Sequence, residues 1–492
     1  MEITKKDPFS PPSTPTEGFF AKVEGNAQKP AGETISPSPT PQSVPFPVPP
    51  IQNEAGFTPS VPPSKLNLKK IILFLFGGLI FILIVFFIFK KGLLKPVKKN
   101  GETNLVYWGL WEPESVMAEI ISEYQNSHPK IKINYVLQSP KDYRERLQTA
   151  IMKGSGPDIF RFHNTWVQML KDYLAPIPST VMDSATFEKI FYPVAKNDLR
   201  LGSNYIGIPL EIDNLALFYN EEIFSIAGKL PPTTWDEFRK TALELTVRDA
   251  AGKIQTAGAA LGVTSNVDHW SDILGLMFLQ NGANLEKPTD NLAEDALTFF
   301  TLFSRFDRVW DETLPSSTYF FASGRLAMYF GPSWRFFEIK ALNPKLKFKI
   351  IPVPQLPGVN ITWASYWVEG VNNKSGNVTE AWEFLKYLSS KQTMEKLYQA
   401  QSKLRFFGEP YSRTDMADLL KNEPYVGVFV EQAPKAKSWY LSSRTFDNGI
   451  NDKIIKYYED AVNAVNKGAG PKEALATVAQ GVAQVLSQYG AK

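Results

Sequence analysis

The stretch YIGIPLEIDNLALFYNEEIF, at residues 205–224, decides how the chain is organised. Its apolar residues would fill a buried strand, yet Glu211, Asp213 and Asn214 lie in its middle. Carboxylates without partners in a dry core are costly or change their protonation state. The stretch therefore predicts a strand that leaves one packed region, crosses a wet space and enters another.

Length, cysteine content and charge bound the possible functions. The 492 residues leave room for two or three folded units. Cysteine is absent, which excludes disulfides, thiolate metal sites and a cysteine nucleophile. Residues 104–492 hold 41 Lys or Arg against 43 Asp or Glu, so they offer no basic surface for phosphates. We therefore expect no nucleic-acid partner.

The N-terminal part differs in composition from the rest. Residues 1–69 are expected to form a disordered, proline-rich tail, because the first 64 residues contain 15 prolines and show no helical or strand period. A transmembrane helix is predicted over residues 70–90, since residues 71–89 form an uncharged apolar run long enough to cross a bilayer. Lysines follow it directly, which favours an uncleaved anchor over a signal peptide, with residues 91–103 as a linker.

From residue 104 onward, strand-like and helical segments alternate. The first four are NLVYWGL, ESVMAEIISEYQNS, KIKINYVLQ and DYRERLQTAIMKG. This order predicts an α/β fold in which helices cover a parallel sheet and ligands bind at the carboxyl ends of strands. The second half repeats the alternation, with strands expected at AALGVT, RLAMYF and KFKIIPVPQL, and so predicts a second α/β lobe.

Several motifs occur together in one order. They are LVYWGLWEPES, GSGPDIF, YIGIPLEIDNLALFYNEEIF, PPTTWDEF, FASGRLAMYFGPSW and AWEFLKYLSS. With them, residues 104–492 resemble the extracellular solute-binding proteins of ABC importers, the family that includes maltose-binding protein. The resemblance implies a periplasmic-binding-protein type II fold, in which two α/β lobes are joined by a hinge and enclose a ligand cleft. Lobe 1 would comprise 104–211 and 360–435, and lobe 2 would comprise 215–355 and 440–492.

The resemblance also implies a place and partners for the chain. We expect a single-pass protein of the cell membrane, with the solute-binding domain outside, the tail in the cytoplasm and ABC permease subunits as partners. We expect a monomer that binds a sugar or a related polar solute and needs no cofactor. Flanking lysines, five after the span and three before it, weakly favour the opposite orientation. Long domains cross membranes largely regardless of that rule.

Sugar sites combine aromatic rings for the apolar face with carboxylates and amides for the hydroxyl groups. Trp111 and Glu112 follow the first strand, and Asn164 and Trp166 follow the third, so all four are candidate ligand contacts. Three of them have a structural alternative. Trp111 could simply pack, Glu112 could be a solvated charge in a first helical turn, and Asn164 could cap a helix.

The hinge and the second lobe supply further candidates. We expect Glu211 and Asp213 to point to opposite sides of an extended strand, so that at most one contacts ligand, and we favour Asp213. The resemblance places ligand aromatics at Trp270 and at Trp334, in the GPSW turn. His269, beside Trp270, is expected to be solvated or to cap a helix.

Two segments depart from the family pattern. Relatives usually carry a glycine-rich strand edge where this chain has Tyr366 and Trp367, whose rings either narrow the pocket or belong to the core. A glycine and proline turn of the relatives is replaced by SKLRFFGEPYSR, which makes Arg405 a candidate contact. The three histidines are scattered, at 128, 163 and 269, and predict no metal site.

Two alternative functions remain open from the sequence. A surface glycosidase would also use acids and aromatic rings, although the chain contains neither GxSxG nor HExxH. A glycan-binding or sensing protein could use the same cleft without transport. Enzyme activity is not expected.

Overall fold

A computed structural model of the chain describes residues 101–491. The expected tail at 1–69, the transmembrane helix at 70–90 and most of the linker at 91–103 lie outside these residues. Within 101–491, no helix combines the length and the apolar character needed to cross a membrane.

The described residues contain two five-stranded sheets and a set of covering helices. The strands are β1 Thr103–Gly109, β2 Ile131–Leu137, β3 Ile159–His163, β4 Arg200–Leu201, β5 Asn204–Tyr205, β6 Ile208–Pro209, β7 Ala216–Asn220, β8 Val247–Arg248, β9 Ile254–Ala259, β10 Leu326–Gly331, β11 Phe348–Ile351, β12 Thr362–Trp363, β13 Trp367–Val371 and β14 Ala436–Lys437.

The α-helices alternate with these strands and dominate the C-terminal part. They are α1 Glu114–Ser127, α2 Tyr143–Met152, α3 Val167–Leu170, α4 Ser184–Ile190, α5 Pro193–Asp198, α6 Glu221–Ile226, α7 Trp235–Leu245, α8 Trp270–Asn281, α9 Asn291–Arg305, α10 Ser317–Ala322, α11 Arg335–Leu342, α12 Val378–Leu388, α13 Lys391–Ser402, α14 Gly427–Gln432, α15 Ile450–Asn466 and α16 Pro471–Tyr489. Short 3-10 helices span Asn164–Trp166, Thr414–Leu419 and Ala433–Lys435.

The first sheet has the order β2-β1-β3-β13-β6. β1 runs parallel to β2 and β3, as the alternating pattern predicted, but β13 runs antiparallel to both β3 and β6. The expectation of a parallel sheet is therefore confirmed for β1, β2 and β3 and is wrong for β13. The physical reason is the return of the chain from its second half, which brings β13 into this sheet from the opposite direction.

The second sheet has the order β11-β7-β10-β9-β8 and is also mixed. β10 is parallel to β9 and antiparallel to β7, which in turn pairs antiparallel with β11. The strand expected at AALGVT, residues 259–264, lies earlier in the chain, at β9. Of the expected residues, only Ala259 belongs to β9. Gly262, with φ 96°, ends any extended conformation there.

The quoted stretch carries the chain from one sheet to the other. β6 belongs to the first sheet and β7 to the second, so residues 210–215 form the crossing. Ile212 N donates to Pro410 O at 3.0 Å and Leu215 N donates to Trp363 O at 2.8 Å, so the crossing backbone is paired. The chain returns between β11 and β13, over residues 352–366. The two connections therefore lie side by side, and the acidic residues of the first lie between the two sheets.

The C-terminal helices cover both sheets. α13 packs on α1, and α12 packs on β13 of the first sheet. α15 and α16 pack on each other and on α9, which in turn packs on α8. Helical spacing in the sequence predicted each of these segments, because buried residues recur every three or four positions, as in α15.

Candidate functional site

A cavity of about 370 Å³ opens where the chain crosses between the two sheets. This volume is at the small end of the roughly 300–1,000 Å³ typical of small-molecule sites. Five of the ten predicted site residues line it: Trp111, Asp213, Trp334, Trp367 and Arg405. The other lining residues are His163, Glu211, Ser365, Glu409, Ser443, Arg444 and Phe446.

Aromatic rings form one wall of the cavity. The Trp111 and Trp367 rings meet edge to face with their centroids 5.6 Å apart, and the centroid of Phe446 lies 6.3 Å from that of Trp111. On another side, the ring of Trp334 lies 4.4 Å from the guanidinium carbon of Arg335. Such rings offer the apolar surface on which the C–H face of a sugar packs.

The backbone presents Trp111 to the cavity through a strained turn. Glu112 N donates to Leu110 O at 2.9 Å, which closes a γ-turn centred on Trp111 with φ 74°. A left-handed conformation is unfavourable for a residue with a bulky side chain. The turn leaves 44% of Trp111 exposed, so the strain holds a large ring at the cavity instead of in the core.

The crossing strand contributes two buried carboxylates. Asp213 accepts from Asn214 N at 2.8 Å, from Ser333 N at 3.1 Å and from Ser333 Oγ at 2.9 Å. Glu211 accepts from Trp367 N at 3.2 Å. The expectation that the two acids point to opposite sides was wrong, because residues two positions apart in an extended chain share a face. Both acids line the cavity.

Burial controls the ionisation of these acids. Burial, followed by the nearby charge of Glu409, raises the pKa of Asp213 to about 8. Burial, again followed by Glu409, raises the pKa of Glu211 well above its ordinary value. Among the described residues, neither acid forms an ion pair with a basic side chain within 4.0 Å. The crossing therefore places in the cavity two buried carboxyl groups whose protonated forms are favoured by burial.

The two arginines at the cavity have acidic partners of their own. Arg405 pairs with Glu409 at 2.6 Å, and its guanidinium carbon lies 4.9 Å from the centroid of the Phe337 ring. Arg444 pairs with Asp268 at 2.7 Å. Both arginines can still donate hydrogen bonds to a ligand, but each has its positive charge balanced by a carboxylate.

Glu112 lies beneath the cavity and does not line it. It pairs with Arg161, whose Nε also donates to Glu369 at 2.6 Å, and all three side chains are buried. Arg161 donates from a second nitrogen to Leu110 O at 3.0 Å. This buried ion group thus supports the turn that presents Trp111. Glu112 also borders a neighbouring cavity of about 160 Å³, together with Arg405.

Three other predicted residues lie behind the cavity wall. Asn164 and Tyr366 donate to the same oxygen of Asp198, at 2.9 and 2.8 Å, and Trp166 is fully buried with its ring 5.4 Å from that of Trp367. Asn164 is not a helix cap, because His163 takes that role and accepts from Thr165 N. Tyr366 is thus a core residue, whereas Trp367 narrows the cavity.

The residues at the start of α8 also lie outside the lining. Trp270 is 9% exposed and packs in the core. His269 is buried and not solvated; it occupies the N-cap position of α8, but its side chain makes no capping bond. It accepts from Arg335 Nε at 2.9 Å, while its other ring nitrogen lies 3.2 Å from Asp272. Arg335 therefore links His269 to the turn that carries Trp334.

The lining residues that sequence reasoning missed come from four places, one of which is Ser365 in the return connection at 352–366. His163 ends β3, and burial lowers its pKa to about 3, so it is a neutral ring bonded to Ser365 Oγ at 3.0 Å. Glu409 follows α13. Ser443, Arg444 and Phe446 lie in a loop with left-handed residues at 444, 446 and 448. Its serine, asparagine and glycine residues mark a loop, but nothing in the sequence shows that it folds over the cavity.

Three acids at and beneath the cavity have the composition of a metal site. Carboxylate oxygens of Glu112, Glu211 and Glu409 lie within 4.8 Å of one another. Two of the three are already paired, Glu112 with Arg161 and Glu409 with Arg405. Arginines at this position oppose a divalent cation, so the group does not fit a metal site.

Comparison with known proteins identifies the family. Residues 119–406 match the family of bacterial extracellular solute-binding proteins. The chain belongs to this family. It is 22% identical to a maltotriose-binding protein of Pyrococcus abyssi over 59% of the chain and 63% of that relative, so it spans less than two thirds of the relative's length. It is also 22% identical to a multiple sugar-binding protein of Streptococcus mutans over 58% of the chain and 71% of the relative.

Solved structures share the fold of this solute-binding protein. A cyclo/maltodextrin-binding protein in complex with maltotetraose superimposes with a TM-score of 0.66 at 18% identity, covering 79% of this chain and 98% of the other. An ABC transporter solute-binding protein of Thermotoga lettingae bound to α-D-tagatose gives 0.61 at 22% identity, covering 78% and 100%. At this identity the agreement concerns the fold alone.

Proposed function

We propose that this solute-binding protein binds a carbohydrate in the cavity and delivers it to the permease subunits of an ABC importer. The observation that carries the proposal is the combination, in one cavity, of indole rings at Trp111, Trp334 and Trp367 with the polar groups of the crossing strand. Rings suit the apolar face of a sugar, and buried carboxylates orient its hydroxyl groups. Relatives named for sugars support the same class of solute.

Delivery would use hinge motion between two lobes. In this proposal lobe 1 comprises 104–211 with 360–435, lobe 2 comprises 215–355 with 440–492, and the connections at 210–215 and 352–366 act as hinges. A few residues in such connections can absorb the rotation that closes a cleft over its ligand. No bond of the solute would be made or broken, and the protein would act as a monomer.

The proposal places the solute-binding domain outside the cell. The apolar run at residues 71–89 would anchor the protein in the membrane, with the tail in the cytoplasm. Protease treatment of intact cells tests this arrangement, because an external domain is digested while the tail is protected. Protection of residues 104–492 in intact cells would contradict it.

A thermal-melting screen tests whether the protein binds a carbohydrate. The purified full-length chain is heated with a panel of mono- and oligosaccharides. At a hundredfold excess over its dissociation constant, a bound sugar should stabilise the folded state by about 2.7 kcal/mol. The absence of a shift with every sugar of the panel would refute carbohydrate binding. Capture of permease subunits in the presence of the stabilising sugar would then test delivery.

A further inference from the structure

Acidic side chains outnumber basic side chains around the cavity. Glu211, Asp213 and Glu409 line it on the acidic side, and Arg405 and Arg444 on the basic side. Each arginine is already paired, Arg405 with Glu409 and Arg444 with Asp268 outside the lining. Within the described residues, Glu211 and Asp213 are therefore left without a basic partner.

The surroundings of Glu211 add more negative charge. Its carboxylate lies within 4.8 Å of those of Glu112 and Glu409, and Glu211 and Asp213 are 7% and 5% exposed. Arg161 and Arg405 both act electrostatically on Glu211, but Arg161 is shared between Glu112 and Glu369, and Arg405 is paired with Glu409. Buried carboxylates at this spacing repel one another unless they are protonated or a cation joins them.

The aromatic wall also suits a cation. Trp367, which donates its backbone N–H to Glu211, carries one of the rings beside Trp111 and Phe446. The faces of aromatic rings attract positive charge, most strongly those of tryptophan. A carboxylate next to indole rings in a small cavity is therefore a favourable place for an ammonium group.

We propose that the solute is an amino sugar whose protonated amino group binds at the Glu211 carboxylate, within the aromatic wall and beside Asp213. This inference rests on the proposed carbohydrate function and narrows its substrate class. The sugar hydroxyls remain free to bond to Ser365, Ser443 and the two paired arginines. A neutral sugar at the same place would bring no positive charge to these two carboxyl groups.

A bound ammonium group would also displace protons. It favours the ionised forms of Glu211 and Asp213 and so lowers the pKa of each carboxyl, which burial otherwise raises. The charged groups that face Glu211 are Glu112, Arg161, Asp213, Arg405 and Glu409. The two basic groups among them, Arg161 and Arg405, are already paired with other carboxylates. Binding of a cationic sugar near neutral pH should therefore release protons, whereas binding of a neutral sugar should not.

The test uses isothermal titration calorimetry on the purified full-length chain. The probes are glucosamine and its β-1,4-linked disaccharide with free amines, compared with glucose and cellobiose. A charge-assisted contact predicts at least about tenfold tighter binding of the amino sugar than of its neutral counterpart. Repeating the titration in two buffers of different ionisation enthalpy measures the protons released. Added NaCl should weaken binding of the amino sugar more than binding of the neutral sugar.

Variants test whether Glu211 and Asp213 are the residues that bind the ammonium group. Glu211→Gln keeps the shape of the side chain and should bring the ratio of amino-sugar to neutral-sugar affinity close to one, and Asp213→Asn should lower it partly. Glu383→Gln, at an exposed position on α12, is the matched control and should keep the ratio. An unchanged ratio in Glu211→Gln would overturn the inference.

The remaining outcomes separate this inference from the proposed function. Neutral sugars that bind as tightly as the amino sugars would overturn the inference and leave the carbohydrate function standing. Binding of choline without binding of any sugar would refute the carbohydrate function. It would support the part of the inference that gives the solute a positive charge. Stabilisation by CaCl2 that is lost in Glu211→Gln would overturn the inference in favour of a metal site. Failure of all these probes to bind would overturn it as well.

Discussion

Asp213 of the crossing strand accepts two hydrogen bonds from Ser333, one from its backbone N–H at 3.1 Å and one from its hydroxyl at 2.9 Å. Ser333 directly precedes Trp334, so these bonds join the acidic crossing to the turn that carries a ring of the cavity. The carboxylate that borders the ligand space is thus also the group that fixes the position of this turn.

Ser333→Ala should lower both the stability of the fold and the affinity for sugar. Removal of the hydroxyl leaves a buried carboxylate oxygen with one bond fewer, which should lower the free energy of unfolding by about 1–3 kcal/mol. Sugar affinity should fall as well, because the Trp334 turn is less fixed. Urea denaturation and calorimetry measure the two effects. Ser155→Ala, at an exposed position, is the control, and a change of equal size there would contradict the assignment.

The strain at Trp111 predicts an unusual order of stabilities. Both Trp111→Ala and Trp111→Gly remove the ring and should lower sugar affinity, by about tenfold or more if the ring stacks on the ligand. Glycine adopts a φ of 74° without penalty, so the glycine variant should be more stable than the alanine variant by about 1 kcal/mol. At an ordinary exposed position, alanine would be the more stable of the two.

Tyr319→Ala serves as the control for the loss of a ring. Tyr319 is 56% exposed and lies outside the cavity lining, so its removal should leave sugar affinity unchanged. Melting temperatures give the order of stabilities, and calorimetry gives the affinities. Equal stability of the two Trp111 variants would show that the turn relaxes when the ring is lost.

Local patterns predicted much of this fold and part of its cavity. Alternation of apolar residues predicted β1 and β2, helical spacing predicted α1, α9 and α15, and the acidic interruption at Glu211–Asn214 predicted the crossing. Loops at the carboxyl ends of strands are a general place for ligands, and this rule pointed to Trp111. Each of these features depends on residues close together in the chain.

The features that the sequence did not reveal depend on distant contacts. The direction of β13 is set by the return from the second sheet. Glu409 and the loop with Arg444 and Phe446 reach the cavity from about two hundred residues or more beyond Glu211 in the chain, and no period in the sequence marks them. Glu112 and Asn164 are polar residues at promising loops, but their side chains turn inward to bond Arg161 and Asp198.

The raised pKa values of Glu211 and Asp213 predict how stability depends on pH. The pKa of Asp213 is about 8 in the folded protein. Between the ordinary pKa of an aspartate and this value, the folded state therefore binds more protons than the unfolded state. Stability should therefore fall as pH rises, by up to about 1.4 kcal/mol per pH unit for each such carboxyl, and the fall should end near the folded pKa.

Glu211→Gln should flatten this dependence. The charged groups that face Glu211 are Glu112, Arg161, Asp213, Arg405 and Glu409. Removal of the Glu211 carboxyl removes a group that titrates with a raised pKa and reduces the repulsion among the remaining acids. Melting temperatures of the ligand-free chain, measured between about pH 5 and pH 8, should fall less for the variant than for the wild type. The exposed variant Glu383→Gln should follow the wild type, and parallel curves for all three proteins would contradict the prediction.

The buried ion group beneath the cavity gives the last prediction. Arg161→Met leaves Glu112 and Glu369 buried without their positive partner and should lower the free energy of unfolding by about 3–5 kcal/mol. It also removes the bond to Leu110 O, so sugar affinity should fall because the Trp111 turn is less well fixed.

Replacing all three side chains by methionine removes the unpaired charges and should recover much of the stability, because a buried ion group contributes little more than well-packed apolar side chains. The triple variant should not recover sugar affinity, since the Leu110 bond stays absent. Chemical denaturation and calorimetry on the single and triple variants separate the two effects, and a triple variant as unstable as Arg161→Met would show that the ion group itself stabilises the fold.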